Sequence, residues 1–123
     1  MPSEFGGSDA EVTPGWLFRA GLASCAATCI AMAAAVEGIA LTKLEVVARS
    51  RSDARGMPGM SDGNGSAISA APNGLALEVR IAARGVTPER LRALADLAMR
   101  RSPIAEAVQG ALPLELSVAV GED

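Results

Sequence analysis

The sequence lacks several residues on which common protein chemistry depends. Its 123 residues contain no histidine and only two cysteines. Without histidine there is no Ser-His-Asp triad, no Cys-His pair and no histidine-liganded zinc. Two cysteines alone cannot form an all-thiolate zinc site, and they are too few for a disulfide scaffold. We therefore expect no metal site and no cofactor.

Aromatic residues are also scarce, at 2% of the chain: Phe5, Trp16 and Phe18. Half of the residues are hydrophobic, so Ala, Leu and Val must fill the core. Small side chains each bury little area, and a chain of this length therefore gains from an oligomeric interface. We predict a homodimer of one domain spanning residues 1–123, in which residues 1–12 are irregular.

Charge is low and unclustered, with a net value of −3. No basic stripe is present, so we expect no nucleic-acid partner. The stretch from Ala20 to Val36 has no charged residue, but its length of about 17 residues is at the short limit for a bilayer span. We interpret it as a buried helix and expect no membrane association. We recognise no signal peptide, which favours a cytoplasmic protein with reduced thiols.

The pattern of hydrophobic residues predicts an α+β fold. Three Ser/Thr-Pro pairs, at residues 13–14, 87–88 and 102–103, are typical of helix starts. Alternating apolar residues predict strands at Leu41–Ser50, Leu75–Ala83 and Leu114–Val120. Each strand has one apolar face, which favours an antiparallel or mixed sheet with helices on one side. The first helix, apolar almost all round, is expected to be buried on several sides.

Cys25 and Cys29 lie four residues apart on this helix and share one face. The simplest interpretation is that both are buried and act as small hydrophobic residues. They should not form a disulfide with each other, because helical Cβ atoms four apart are about 5–6 Å apart. A disulfide requires about 3.8 Å. Three residues separate them, so they are not a C-x-x-C motif.

A reactive Cys25 would need help to ionise, because an unperturbed thiol is mostly protonated at neutral pH. The candidates for the neighbouring cation are Arg19, Arg51 and Arg55, although each is also explained as solvated surface charge. Ser102, which precedes a proline, is explained as a helix cap.

The sequence resembles the OsmC/Ohr family of osmotically inducible and organic hydroperoxide resistance proteins, as a divergent short member. The resemblance extends over roughly residues 6–120. It rests on Pro14–Phe18 with Gly21–Cys25, which resemble the family's opening motif around its cysteine. It also rests on Ser50–Met60, which resembles a family loop, and on Arg101–Ile104, which resembles the family's second-cysteine segment.

The resemblance implies an intertwined homodimer with two interfacial sites and a peroxiredoxin-like thiol peroxidase mechanism. Cys25 matches the family's attacking cysteine, and Ser102 stands where the resolving cysteine normally lies. Gly15 occupies the position of the family's active-site glutamate. The N-terminal strand region with the activating arginine is expected to be largely missing.

The first functional hypothesis is therefore an OsmC-like oxidative-stress protein that reduces organic hydroperoxides with one cysteine, Cys25. An external thiol would then act as the reductant. The second hypothesis is a non-catalytic dimer of the same fold that binds an apolar small molecule at the subunit interface. A third is a purely structural dimer module.

Overall fold

The computed structural model describes residues 11–121. The predicted irregular segment 1–12 therefore lies almost entirely outside the described residues. The elements in chain order are α1 (Pro14–Val36), β1 (Leu41–Arg51), β2 (Asn73–Ala83), α2 (Pro88–Arg100), α3 (Pro103–Gln109) and β3 (Glu115–Val120). Every strand and helix predicted from the sequence is present, and no end of a strand differs from its predicted position by more than two residues.

Each helix begins at a capping hydroxyl followed by proline. Thr13 Oγ1 accepts a hydrogen bond from Trp16 N at 3.1 Å, and Thr87 Oγ1 accepts one from Arg90 N at 3.2 Å. Proline fits the first helical position because its missing N–H would have no partner there. At the other end of α1, Gly38 adopts φ 70°, a left-handed conformation in which glycine pays no steric penalty.

The three strands form one mixed sheet in the order β1-β2-β3. β1 runs antiparallel to β2, whereas β3 runs parallel to β2. The parallel pair requires a crossover, which α2 and α3 provide. β2 is central, and its inward residues Leu75, Leu77, Val79 and Ile81 are all buried. The core therefore lies between this face of the sheet and the helices, as the alternating pattern predicts.

The core consists of aliphatic side chains. The largest fully buried hydrophobic residues are Leu22, Ile30, Leu77, Val79, Ile81, Leu91 and Leu94. Alanines such as Ala26, Ala95 and Ala98 are buried between them. Small side chains at these positions let α1 and α2 approach the sheet and each other closely. The scarcity of aromatic residues is thus accommodated by close packing of small residues.

The first helix is less buried than the sequence predicts. Only Leu22, Ala26, Ile30, Ala33 and Ala34 are buried, because one three-stranded sheet and two shorter helices cover a single side of α1. Large apolar side chains remain exposed elsewhere on the helix, including Leu17 (57%), Met32 (64%) and Val36 (84%). By length and composition alone, α1 could cross a membrane, but soluble core helices meet the same criteria.

The long loop between β1 and β2 folds back on itself. Ser61 and Ala67 form an isolated antiparallel bridge, and Asp62 Oδ1 accepts backbone hydrogen bonds from Asn64 and Ser66. Gly56 lies where the two branches of the loop meet, since a Cβ there would be only 2.5 Å from Ser69 O. The loop therefore has close internal contacts, and Gly56 is required by space rather than by its backbone dihedral.

Candidate active site around Cys25

The fold brings together the two site residues predicted from the sequence. Ser102 Oγ donates a hydrogen bond to Cys25 Sγ across 3.0 Å. Cys25 lies on α1, and Ser102 lies at the junction between α2 and α3. The serine is completely buried, while Cys25 remains partly exposed. Cys25 is thus partly open to solvent, and its sulfur contacts the buried hydroxyl of Ser102.

Ser102 also caps α3, as the sequence predicts. Its Oγ accepts a hydrogen bond from Ala105 N at 3.4 Å. A hydroxyl is both donor and acceptor, so it can accept the backbone N–H while its proton points to Cys25. The cap fixes the oxygen in position, and no described buried side-chain nitrogen or oxygen lacks a partner. Capping and thiol contact are therefore two roles of the same atom.

These contacts make Cys25 more acidic. The Ser102 hydroxyl has the largest effect and lowers the pKa of the Cys25 thiol. Burial works against it by raising the pKa, while the Ile104 backbone N–H and the Cys29 thiol lower it further. Hydrogen bonds to a charged group favour that group's ionisation. The net result is a thiol with a pKa below its ordinary value, as nucleophilic chemistry requires.

Cys29 behaves in the opposite way. Burial is the main cause that raises the pKa of Cys29, and the charge on Cys25 raises it further. Cys29 Sγ lies 3.9 Å from Arg101 O, a long S–H···O contact. Both thiols are free in the structure. The pKa values of the two thiols are therefore shifted in opposite directions, so the two cysteines are not equivalent.

A small surface cavity adjoins Cys29. It measures about 150 Å³ and is lined by Cys29, Met32, Ala33, Val36 and Arg101. Its walls are mostly apolar, and Arg101 provides the charged side chain. The sequence gives no sign of this cavity, of the Arg101 carbonyl or of the Ile104 N–H. These features depend on how the α2–α3 junction packs against α1, which no local pattern records.

The candidate arginines lie elsewhere. Arg19 Nη1 donates to Ser50 Oγ at 3.2 Å, and Arg55 pairs with Asp53 at 2.6 Å. Arg51 lines a separate cavity with Arg19. Among residues 11–121, the groups that lower the pKa of Cys25 are hydrogen-bond donors, and none is a guanidinium. A hydroxyl, a backbone amide and the Cys29 thiol therefore act on Cys25 in place of one of the candidate arginines.

No cluster of three potential metal-ligating residues occurs in the described part of the chain. The site instead combines the partly exposed, acidified thiol of Cys25, the buried hydroxyl donor of Ser102 and a mostly apolar cavity beside the neighbouring Cys29. Such an arrangement places the chain in a class of α+β proteins that carry a partly exposed, acidified cysteine on a long helix.

Comparison with known proteins identifies the family of this chain. The sequence model described as OsmC-like protein matches residues 6–117, and the chain belongs to that family. No curated protein matches the chain significantly.

Solved structures agree with this assignment. An organic hydroperoxide resistance protein OsmC from Legionella pneumophila is 25% identical, with a TM-score of 0.67 over 97% of this chain and 77% of that one. A Vibrio cholerae protein assigned to organic hydroperoxide resistance, with captopril bound in one of its active sites, is 28% identical. Its TM-score is 0.71 over 96% of this chain and 72% of that one. An OsmC-like protein from Mycoplasma pneumoniae, 16% identical, shares the fold with a TM-score of 0.74 over 98% and 77%.

Proposed function

We propose that the protein reduces organic hydroperoxides with Cys25 as the nucleophile. The observation that supports this most directly is the 3.0 Å hydrogen bond from Ser102 Oγ to Cys25 Sγ. It stabilises the thiolate, which is the attacking form. Structural relatives named for organic hydroperoxide resistance support the choice of substrate class. The apolar cavity beside Cys29 favours an organic substrate over hydrogen peroxide.

The chemical step is a two-electron transfer. The Cys25 thiolate attacks the terminal oxygen of R–O–OH, an S–O bond forms and the O–O bond breaks. The products are Cys25 sulfenic acid and an alkoxide, which takes up a proton to give the alcohol. Sulfur is oxidised and the peroxide is reduced.

The enzyme is regenerated by an external thiol. Ser102 has no sulfur with which to resolve the sulfenic acid, and an intact α1 keeps Cys29 from doing so. One external thiol condenses with the sulfenic acid, which releases water and leaves a mixed disulfide. A second thiol then displaces Cys25 as free thiol and leaves an external disulfide. This cycle requires a reducing compartment, so we assign the protein to the cytoplasm.

The test combines sulfenic-acid trapping with thiol titration. We expect cumene hydroperoxide followed by dimedone to label Cys25, identified by peptide mass spectrometry, in both the wild type and Cys29→Ala. Cys25→Ser, the matched control, should carry no label and consume no peroxide. Alkylation of Cys29→Ala against pH should show a Cys25 pKa below that of a free thiol. An unshifted pKa without peroxide consumption would contradict the proposal.

We also propose that a second copy of this chain covers the exposed face of α1. This face contains Leu17, Gly21, Ser24, Thr28, Ala31 and Ala35, all exposed and spaced three or four apart. Small residues at this spacing let a second helix approach closely. An uncharged apolar face of this length is unusual in a monomer, because apolar surface gains free energy when it is removed from water.

Sedimentation tests the dimer. We expect the wild type to sediment as a dimer at micromolar concentration, and Thr28→Arg to sediment as a monomer. Ala93→Arg places the same charge on an exposed position of α2 and should leave the dimer intact. A monomeric wild type would refute this proposal, and so would a wild type found in the membrane fraction.

The alternative is a non-catalytic member of the family that binds an apolar small molecule at the subunit interface. One observation favours it: no cation assists Cys25 within the described residues. In that case the trapping experiment gives no label, while an apolar fluorescent probe still binds and is displaced by alkyl ligands. The same two measurements on one sample therefore separate the two functions.

A further inference from the structure

We infer that Cys29 is a second catalytic residue, which donates the proton that the departing alkoxide requires. The inference rests on the proposed peroxidase function and deepens it. Cleavage of R–O–OH by a thiolate leaves R–O⁻, a strongly basic group. A donor positioned beside the departing oxygen lowers the barrier to that step.

The placement of the two thiols supports this role. Cys25 and Cys29 lie one helical turn apart on the same face of α1. They also contact consecutive residues of the α2–α3 junction: Cys25 Sγ meets Ser102 Oγ at 3.0 Å, and Cys29 Sγ meets Arg101 O at 3.9 Å. Both sulfurs therefore lie against the same short segment.

The cavity beside Cys29 provides a place for the organic group of the substrate. Cys29 lines this cavity together with Met32, Ala33 and Val36. Its volume of about 150 Å³ is similar to that of apolar cavities that hold a benzene-sized group. In the proposed pose the organic group occupies the cavity and the terminal oxygen meets Cys25. Because Cys29 lines the cavity and lies one helical turn from Cys25, this pose brings the inner oxygen next to Cys29.

The neighbouring groups leave Cys29 as the proton source. The groups whose hydrogen bonds shift the pKa of Cys25 are Ser102, Ile104 and Cys29. The Ser102 proton is already directed at the sulfur, and Ile104 contributes a backbone amide. Arg101 lines the cavity, but a guanidinium does not give up its proton in proteins. Burial and the Cys25 charge raise the pKa of Cys29, so it keeps its proton while Cys25 ionises. Paired groups with pKa values shifted apart are typical of acid and base partners.

The balanced step is then complete within the site. Cys25 thiolate and R–O–OH give Cys25 sulfenic acid, and R–O⁻ takes the proton of the Cys29 thiol to become R–OH. Cys29 is left as a thiolate and regains its proton from water. No additional oxidant or reductant takes part in this half of the cycle.

The experiment compares two peroxides that differ in their need for a proton. Cumene hydroperoxide releases a basic alkoxide, whereas peroxybenzoic acid releases benzoate, a stable anion that leaves without one. Both bear a phenyl group, so they fit the cavity similarly. The rate constant for Cys25 oxidation is measured with each peroxide in the wild type, Cys29→Ala and Cys29→Ser.

We expect Cys29→Ala to lower the rate with cumene hydroperoxide by about 100-fold or more, and the rate with peroxybenzoic acid by less than about threefold. Cys29→Ser keeps a polar side chain of similar size, and it should show the same preference to a smaller degree. Met32→Ala, the control, removes part of the cavity wall but no proton, so it should affect both peroxides alike. Thermal melts establish that each variant is folded.

If Cys29→Ala lowers the rate of Cys25 oxidation equally with the two peroxides, or does not lower it with cumene hydroperoxide, the assignment is overturned. If Cys29→Ala does not fold, the ratio measured in Cys29→Ser decides the question. A wild type in which neither peroxide oxidises Cys25 would instead refute the proposed peroxidase function, so the two failures are distinguishable.

Discussion

Replacing Ser102 with alanine should make Cys25 a weaker acid. The substitution removes the 3.0 Å donor to Cys25 Sγ, which has the largest effect on that thiol's pKa. A hydrogen bond to a charged group contributes about 1.5–3 kcal/mol. Because Cys25 is partly exposed, water replaces part of this contribution, and the lower value applies. About 1.5 kcal/mol corresponds to a loss of about tenfold in the ionisation constant.

Alkylation kinetics measure this change. In a Cys29→Ala background, the rate of Cys25 modification by iodoacetamide is followed against pH. At acidic pH, where the thiol is mostly protonated, Ser102→Ala should react about tenfold more slowly, and the midpoint of its profile should lie at higher pH. The rates at alkaline pH should converge, because both proteins are then fully ionised.

The loss of the helix cap must be separated from the loss of the donor. Thr87→Ala is the matched control, since Thr87 caps α2 in the same way, whereas the two cysteine sulfurs contact Ser102 and Arg101. Removing either cap should cost about 1 kcal/mol of stability, but only Ser102→Ala should change the alkylation profile. Ser102→Gly also removes the hydroxyl at a smaller capping cost. If Ser102→Ala and Ser102→Gly react like the wild type at every pH, the activation argument is wrong.

Three other predictions follow from the same contacts. Ser102→Cys should form a disulfide with Cys25 after one equivalent of peroxide, detected as loss of two thiols by maleimide labelling; retention of both thiols would show that the 3.0 Å contact is unsuited to bonding. Because folding lowers the pKa of Cys25, its ionisation adds stability that is present above the unfolded pKa and lost as pH falls through the folded pKa. The stability difference between wild type and Ser102→Ala, from urea unfolding, should therefore grow as pH rises through that window. Gly56→Ala should speed proteolysis of the long loop, since its Cβ would lie 2.5 Å from Ser69 O, whereas Gly63→Ala, in open space, should not; equal cleavage of both would contradict this.

The secondary structure was accessible from the sequence because its determinants are local. The hydroxyl-proline pairs determine where the helices begin, and Thr13 and Thr87 form the predicted caps. The alternating residues of β2 face the core as predicted. The degree of burial of α1 was not accessible, because an apolar sequence does not specify which faces the rest of the same chain covers.

The candidate site was predictable only in part. The sequence, through the family resemblance, indicated Cys25 and Ser102, and the structure places them in contact. Arg19, Arg51 and Arg55 were candidates for the activating cation, but within the described residues the groups that lower the pKa of Cys25 are a hydroxyl, a backbone amide and the Cys29 thiol. The difference in pKa between Cys25 and Cys29 also escaped prediction. It depends on which thiol meets Ser102 and which is more affected by burial, and both are tertiary contacts.

The Ser102 hydroxyl is shared by two partners, and this sharing couples them. Its oxygen accepts the Ala105 amide in the first turn of α3, while its proton serves a sulfur 77 residues earlier in the sequence. Coupling between two sites is reciprocal. Loosening the first turn of α3 therefore raises the pKa of the Cys25 thiol, and oxidising the Cys25 sulfur alters that turn. Hydrogen exchange at the Ala105 amide would therefore report the oxidation state of Cys25.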